Sequence, residues 1–376
     1  MATVLTCYYR PKPGGLCKRL FRAIESLLSS GHEVHYLAVV AFPISHPHCH
    51  FHRFPWPEAN TDGIIFWSMF HLVASFQLLF LGFRYRVTHL FAFGHSYAFL
   101  LQPLRLLKRI PLTLFLRADA LENHRHKQRS PFLVKLDGII EDLAIAGVRL
   151  YGVSRSLTTR VIERHTLLSP RIAGTLPNNM PARRPRQRGQ TTTSLPLRLA
   201  CVGILEERKN QSLIIRCMAH IKGSLAHLYL FGLGADEEHL KNLTKELHVA
   251  DRVTFMGWID EVDGIWDNVD LLLFPSLHEG APNAILEALA YDIPILASDI
   301  PEHREILPQW SLLPTSDLMI WVKALQTVFA DIPRSLEKLC EEQYKTASRL
   351  RFDWEGEIRR LILQKDEEIH DRSAAI

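Results

Sequence analysis

Two series of short apolar strands, each alternating with helix-patterned segments and separated by a polar break, constrain this chain more than any other feature. The first series opens with ATVLTCY (2–8) and a turn over 11–15. Leu16, Leu20, Ala23, Ile24, Leu27 and Leu28 then recur at helical spacing up to Gly31. EVHYLAVV (33–40) reads as the next strand, with further strands at 89–93, 111–116 and 149–153. A β-turn-α-β succession builds parallel sheets, because parallel neighbours need a crossover between them. Residues 181–196 (PARRPRQRGQTTTSLP) then interrupt the pattern with almost no apolar content, as a linker or exposed loop does. The second series places strands at 197–203, 227–232, 252–256, 270–275 and 293–297, with helices between them such as 236–247 and 282–290. The expectation is two α/β domains in tandem, 1–180 and 197–350, joined by 181–196 and followed by a C-terminal helical segment, 351–376.

Composition supports two packed domains. The chain has 376 residues, 47% of them hydrophobic and 22% charged, which excludes global disorder. Its six cysteines form no CxxC pair, against a zinc ribbon or disulfide scaffold and in keeping with a reducing compartment. No basic stretch leads into a long apolar run at the N-terminus, so a cytoplasmic location is expected. The net charge of +4 is unevenly spread: residues 1–180 carry +11, 181–188 carry +4 and the remainder −11. A basic first half suits an anionic partner such as a membrane leaflet or lipid phosphate, or is simply a solvated basic face. With no basic-aromatic platform, nucleic acid is not expected. Residues 63–83 contain no Asp, Glu, Lys or Arg over 21 positions. Three readings stay open for them: a bilayer span, a buried core helix, and an interfacial helix with Arg84 and Arg86 at its end.

The stretch 275–305 carries the chemistry. A strand ends, a loop holds Glu279-Gly280-Ala281-Pro282-Asn283, and a helix starts near Pro282, where proline is favoured in the first turn. Small residues at 280–281 let the backbone approach a ligand closely. The amides at a helix start favour an anion such as a diphosphate. Glu279 and Glu287 stand about two helical turns apart, roughly on one side. Carboxylates accept hydrogen bonds from hydroxyls, so this layout suits a sugar or ribose flanking a phosphate.

Here the chain resembles the retaining glycosyltransferases of family 4. The carriers are the Glu-x7-Glu pair between a P-S-x-x-E-G-x-P loop and an L-E-A-x-A helix, and Gly203-Ile204-Leu205-Glu206-Glu207-Arg208-Lys209-Asn210, similar to the family's G-R-L-x-x-x-K-N. Pro177-Asn178-Asn179, Val153-Ser154, Pro13-Gly14-Gly15 and Phe352-Asp353-Trp354-Glu355 resemble the family's P-N-G, V-S, glycine loop and F-x-W-E. The resemblance covers most of the chain. It implies the GT-B fold: two Rossmann-like parallel-sheet domains facing across a cleft, with the last helix crossing back onto the first domain. It implies that Glu279 meets the donor sugar's hydroxyls, Glu287 the nucleotide ribose, and Lys209 the diphosphate, with Arg208 as a second cation. Gly280, Ala281, Pro282, Asn283 and Ala284 would line the donor site, the free backbone amides around Ala281–Ala284 holding phosphate oxygens, beside the loop that starts at Gly203; Gly15 would let the first domain approach the same group. Arg117 and Asp119 stand where the family has its cleft histidine, and His95 is a weaker candidate. The chain departs from the pattern at Ile204 (family Arg), Asp292 (family Gly) and Asn179 (family Gly).

The implied activity is a retaining transfer of a sugar from a nucleotide-diphosphate donor to a glycan or lipid-linked glycan, in envelope polysaccharide or glycolipid synthesis. The basic first half and the apolar 63–83 segment add the expectation that it works at the inner membrane face. The leaving phosphate would help deprotonate the acceptor. There is no D-x-D, and no metal or other cofactor is implied. The rival readings are a degenerate GT-B homologue that only binds, a GT-B nucleotide-sugar epimerase, and a dinucleotide-dependent dehydrogenase. For the last, Gly232-Leu233-Gly234-Ala235-Asp236-Glu237 is an incomplete fingerprint.

Overall fold

The structure, a computed structural model, describes residues 1–12, 14–61, 63–119, 121–122, 130–165, 168–182, 195–223, 225–259 and 262–364. Residues 183–194, the body of the expected linker, and 365–376, the end of the expected C-terminal segment, lie outside it, as does Pro13 of the glycine loop. The chain divides into two compact units: Met1–Pro177 together with the segment from Asp353, and Asn178–Phe352.

The first unit runs β1 (Thr3–Cys7), α1 (Gly15–Ser29), β2 (Glu33–Ala38), β3 (Cys49–Arg53), α2 (Ile64–Arg84), β4 (His89–Phe93), α3 (His95–Lys108), β5 (Leu112–Leu116), α4 (Pro131–Ile145), β6 (Arg149–Gly152), α5 (Arg155–Arg164) and β7 (Ile172–Thr175). Its seven strands are parallel in the order β3-β2-β1-β4-β5-β6-β7. The second unit runs β8 (Leu197–Val202), α6 (Gln211–Ala219), β9 (Ala226–Phe231), α7 (Glu237–Glu246), β10 (Val253–Gly257), α8 (Val262–Trp266), β11 (Leu271–Phe274), α9 (Asn283–Ala290), β12 (Ile295–Ser298), α10 (Pro301–Arg304), β13 (Leu312–Leu313), α11 (Leu318–Ala330) and α12 (Ile332–Ala347). Its six parallel strands run β10-β9-β8-β11-β12-β13.

The central strands read as near-continuous apolar runs because both of their faces are covered. In β11, Leu271 and Leu273 join one core with Ile214 and Leu325, while Leu272 and Phe274 join the opposite core with Ile285 and Ile295. Both sheets reverse their strand order once, between β1 and β4 and between β8 and β11. Crevices at the carboxyl ends of strands flanking such a reversal are where open α/β sheets bind ligands.

The last helix, α13 (Trp354–Leu363), belongs to the first unit. Asp353 caps it by accepting from the Gly356 amide at 2.9 Å. Trp354 is fully buried, with Arg19 4.8 Å and Arg22 5.5 Å from its ring, and Arg22 donates to Glu355 at 2.5 Å. Buried Arg149 donates to the carbonyls of Gln364 (2.6 Å) and Ile362 (3.3 Å), serving the carbonyls that a helix end leaves without partners.

Helix α2 is 21 residues long, with a mean hydropathy of 1.9 in its most apolar window, long and apolar enough to cross a membrane. Only 28% of that window is buried, so it is not a core helix throughout. Phe66, Phe70, Ala74, Leu78 and Leu81 face inward, and Ile65, Met69, Leu72, Phe76, Phe80 and Phe83 face out.

Candidate functional site

In the second unit the two loops beside the strand-order reversal meet. The loop after β8 begins at Gly203, whose φ of +146° lies where L-residues are strained; a Cβ there would sit 3.5 Å from the Lys209 amine. A short 3-10 turn, Glu207–Lys209, then turns the chain, and Asn210 adopts a left-handed conformation with φ +53°. Its side-chain amide donates to the carbonyls of Pro275 (3.3 Å) and Thr315 (3.1 Å), and the Leu277 amide donates to the Arg208 carbonyl at 2.8 Å. These bonds stitch the β8 loop to the β11 loop and aim the Lys209 amine at Glu279.

Lys209 Nζ lies 2.5 Å from Glu279 Oε1 and 5.0 Å from the centre of the Phe274 ring. Arg208 lies 3.5 Å from Glu279 Oε2 and is itself held by Glu206 at 2.5 Å. Glu279 is buried. Burial alone would raise its pKa, but Lys209 and Arg208 outweigh that and hold the carboxyl below its ordinary value. Ile204, where the family pattern has arginine, is 48% exposed.

Helix α9 follows this loop with Pro282 at its N-cap and no side-chain cap. The amides of Asn283 and Ile285 turn back to Ala281 (2.9 Å) and Pro282 (3.1 Å). Asn283, Ala284 and Glu287 are its half-buried residues, set on one face by the helical period, while the rest of the helix is buried. The Asn283 side chain accepts from Asn178 at 2.5 Å, which links the Pro-Asn-Asn segment to the start of this helix. The structure therefore brings Gly203, Arg208, Lys209, Glu279 and the loop Gly280–Ala284 together, with Glu287 one turn along the helix.

Sequence reasoning passed over His303, on α10. It is fully buried, with Nδ1 bonded to the Ser298 carbonyl at 2.8 Å and its ring edge-on to Phe274 at 5.4 Å. Burial pushes its pKa down to about 4, and both Glu279 and Lys209 act on it electrostatically. No motif marks it; only the packing around Phe274 does. The Gly232–Gly234 segment has a structural use: a Cβ at Gly232 would lie 2.0 Å from the Gly203 carbonyl, and one at Gly234 2.0 Å from that of Leu205. These glycines let the β9 loop press against the β8 loop.

In the first unit Gly14, with φ +122°, precedes α1, and Gly15 is the first residue of that helix, after β1. His95 opens α3 after β4, so both stand at that sheet's strand-order reversal. His95 Nε2 meets Asp137 Oδ1 at 2.9 Å; burial opposes its protonation, but Asp137 and other carboxylates raise its pKa overall. Arg117 is buried at the end of β5, and burial, then the charge of Arg19, pushes it down to about 9. Asp119 is committed elsewhere: Arg164 lies 2.5 Å and Arg160 3.5 Å from Oδ2, and the Glu122 amide donates to Oδ1 at 3.1 Å. Burial raises its pKa, but those partners bring it below the ordinary value.

Residues 196–331 match the family model of glycosyl transferases group 1. The second unit thus carries the group 1 glycosyltransferase pattern, including the loops just described. A lipopolysaccharide core biosynthesis glycosyltransferase, LpsE of Rhizobium meliloti (strain 1021), is 29% identical over 138 residues, 35% of this chain and 38% of that protein. Across three such curated relatives the aligned stretch spans 38%, 24% and 30% of their own lengths. Among solved structures, a sucrose-phosphate synthase from Thermosynechococcus elongatus superposes with TM-score 0.78 at 18% identity, over 100% of both chains. Anabaena Alr3699/HepE in complex with UDP-glucose superposes with TM-score 0.73 at 14% identity, over 98% of this chain and 100% of that one. The fold is GT-B: two parallel α/β domains of seven and six strands.

Proposed function

We propose that the chain is a retaining group 1 glycosyltransferase that moves a sugar, a hexose by class, from a nucleoside-diphosphate donor to a lipid-linked glycan of the cell envelope. The observation that carries this is the meeting of Lys209, Arg208 and Glu279 beside the strand-order reversal of the second sheet. Fixed cations and the start of α9 suit a leaving diphosphate, and stabilising that developing charge is electrostatic catalysis. Arg208, which already reaches Glu279, supplies the second cation that Ile204 lacks. Glu279 accepts hydrogen bonds from sugar hydroxyls, and Glu287 from the ribose. UDP-glucose bound by HepE and core synthesis by LpsE support the donor class and the acceptor class.

The first unit supplies the membrane side of the reading. Phe76, Phe80 and Phe83 on α2, Leu106 and Leu107 on α3, and Phe132, Leu136 and Ile139 on α4 are exposed. Lys108 bonds the Gly82 and Val87 carbonyls at 2.9 and 3.0 Å, so the end of α3 lies beside the end of α2, where Arg84 and Arg86 stand. Apolar faces rimmed by arginine suit the surface of an anionic leaflet, with the helix lying in the interface.

A thermal-shift panel with UDP, GDP, ADP, CMP and NAD tests the donor. One nucleoside diphosphate is expected to stabilise the chain, by ~2.7 kcal/mol at a hundredfold excess over its Kd. Stabilisation by NAD alone, or by no nucleotide, sinks the reading. With the donor known, Glu279→Gln is expected to lower transfer by orders of magnitude, and the product is expected to keep the donor's anomeric configuration.

A further inference from the structure

At the opposite end of the first sheet from Gly14 and Gly15, three side chains converge that the proposed transfer does not use. Glu33 and His35 alternate along β2 and so share a face, and His50 of β3 pairs in register with His35. The Nε2 atoms of both imidazoles turn to a single carboxylate oxygen, Glu33 Oε1, at 3.3 Å (His35) and 3.0 Å (His50). One ligand atom from each residue lies within 4.8 Å of the other two. Three ligands at zinc-nitrogen and zinc-oxygen distances in a tetrahedron stand about 3.3 Å from one another. The His35 and His50 rings now stack, with centroids 4.7 Å apart and 26° between their planes, so closing on an ion requires the half-exposed His50 ring to rotate its lone pair toward the shared point.

Two further features separate this from an ordinary polar cluster. His35 is almost fully buried, yet its Nε2 has no hydrogen-bond partner among the described residues; its approach to Glu33 lacks hydrogen-bond geometry. A buried ring nitrogen without a partner is costly unless something else occupies it. On the other side of the ring, His35 Nδ1 lies 2.9 Å from His52 Nε2, and Tyr85 stacks on the ring at 4.2 Å. A partner at the second ring nitrogen fixes tautomer and orientation, as it does for metal-bound histidines. The His50 side chain is 39% exposed, which leaves an open side for entry and for water as a further ligand.

We propose that Glu33, His35 and His50 bind one divalent transition-metal ion, Zn2+ by the chemistry of the set, with His52 as the positioning residue. Two imidazoles and one carboxylate suit zinc, and they are too poor in oxygen for calcium or magnesium. The ion clamps β3, an edge strand with no fully buried residue, to β2. The role is structural and independent of sugar transfer.

The full chain, stripped with a chelator and dialysed, is titrated with Zn2+ against a chromophoric competitor, and bound metal is counted by mass spectrometry. One ion per chain is expected for wild type and for His220→Ala, a control on an exposed histidine of the second unit. Glu33→Gln and His50→Ala are expected to lose that ion, and His52→Ala to bind it ~10–100-fold more weakly. His50→Ala, at a half-exposed position, is expected to melt with metal-free wild type, and Zn2+ to raise the melting temperature of wild type alone. Bound Co2+ is expected to give visible bands that disappear in His50→Ala. Substoichiometric uptake by wild type, or equal uptake by wild type and His50→Ala, overturns the proposal.

Discussion

Glu279 shows how one buried carboxylate makes stability depend on its neighbours' charges. Its charge is tolerable because Lys209 and Arg208 are already in place. Removing Lys209 leaves a buried carboxylate short of its main partner, so Lys209→Met is expected to cost about 3–5 kcal/mol in urea melts at neutral pH as well as donor affinity. Glu279→Gln removes the charge itself and is the cleaner test of chemistry. Acid adds a second effect. Because the folded pKa of Glu279 is depressed, its stabilisation is complete above the ordinary carboxylate range and is lost as pH falls through the folded value. His303 acts in the same direction: its pKa drops from 6.5 to about 4 on folding, so below pH 6.5 the unfolded chain takes up a proton that the folded chain refuses. Stability is expected to fall between pH 6.5 and 4, with His303 contributing roughly 3 kcal/mol. Denaturant melts across that range check it, and His303→Gln is expected to flatten the slope.

Individual elements show where local preference is overruled. Helix α3 ends at Arg109 in a left-handed conformation, φ +54°, which glycine takes without strain. Arg109→Gly is expected to raise stability by about 0.5–1 kcal/mol, read as a higher melting temperature. Asp292, where the family pattern has glycine, is likewise left-handed at φ +55°, so the departure is met by a residue type that tolerates that region. Helix α2 has apolar residues on both faces, a feature a soluble domain seldom keeps. Phe76→Ser with Phe80→Ser is expected to weaken sedimentation with anionic vesicles several-fold while leaving the melting temperature nearly unchanged, since both side chains are exposed.

At the scale of the whole molecule, the charge split and the returning α13 dominate. The first half carries +11 and the last 188 residues −11, so vesicle binding through the first unit is expected to weaken steeply as salt rises from 50 to 300 mM. Binding that ignores salt would mean that the apolar faces alone hold the membrane. Trp354 lies fully buried in the first unit although 175 residues of chain separate Pro177 from Asp353. Trp354→Ala is expected to cost about 3–5 kcal/mol and to expose the C-terminal segment to protease.

Much of this architecture was legible because it rests on local periodicity. The strand read at 89–93 is β4 to the residue, and those read at 2–8, 33–40 and 270–275 contain β1, β2 and β11. Such buried parallel strands must be apolar on both faces, and that pattern survives in one dimension. Strands β3, β7 and β13 escaped notice: CHFHR and IAGT carry few large apolar residues, and LL is too short to register. They exist because a neighbouring strand offers its free edge, which no local signal records. The loop and helix around Glu279 could be singled out from order and spacing, but not the approach of Lys209 to Glu279, which depends on Asn210 reaching Pro275 and Thr315. His303 and the Glu33–His35–His50 cluster are further still from local patterning, since each depends on residues brought together by strand pairing and helix packing. Periodicity dictates which faces must be buried; which polar groups then share a buried space follows only from the folded arrangement, because desolvation acts on neighbours in space, not in sequence.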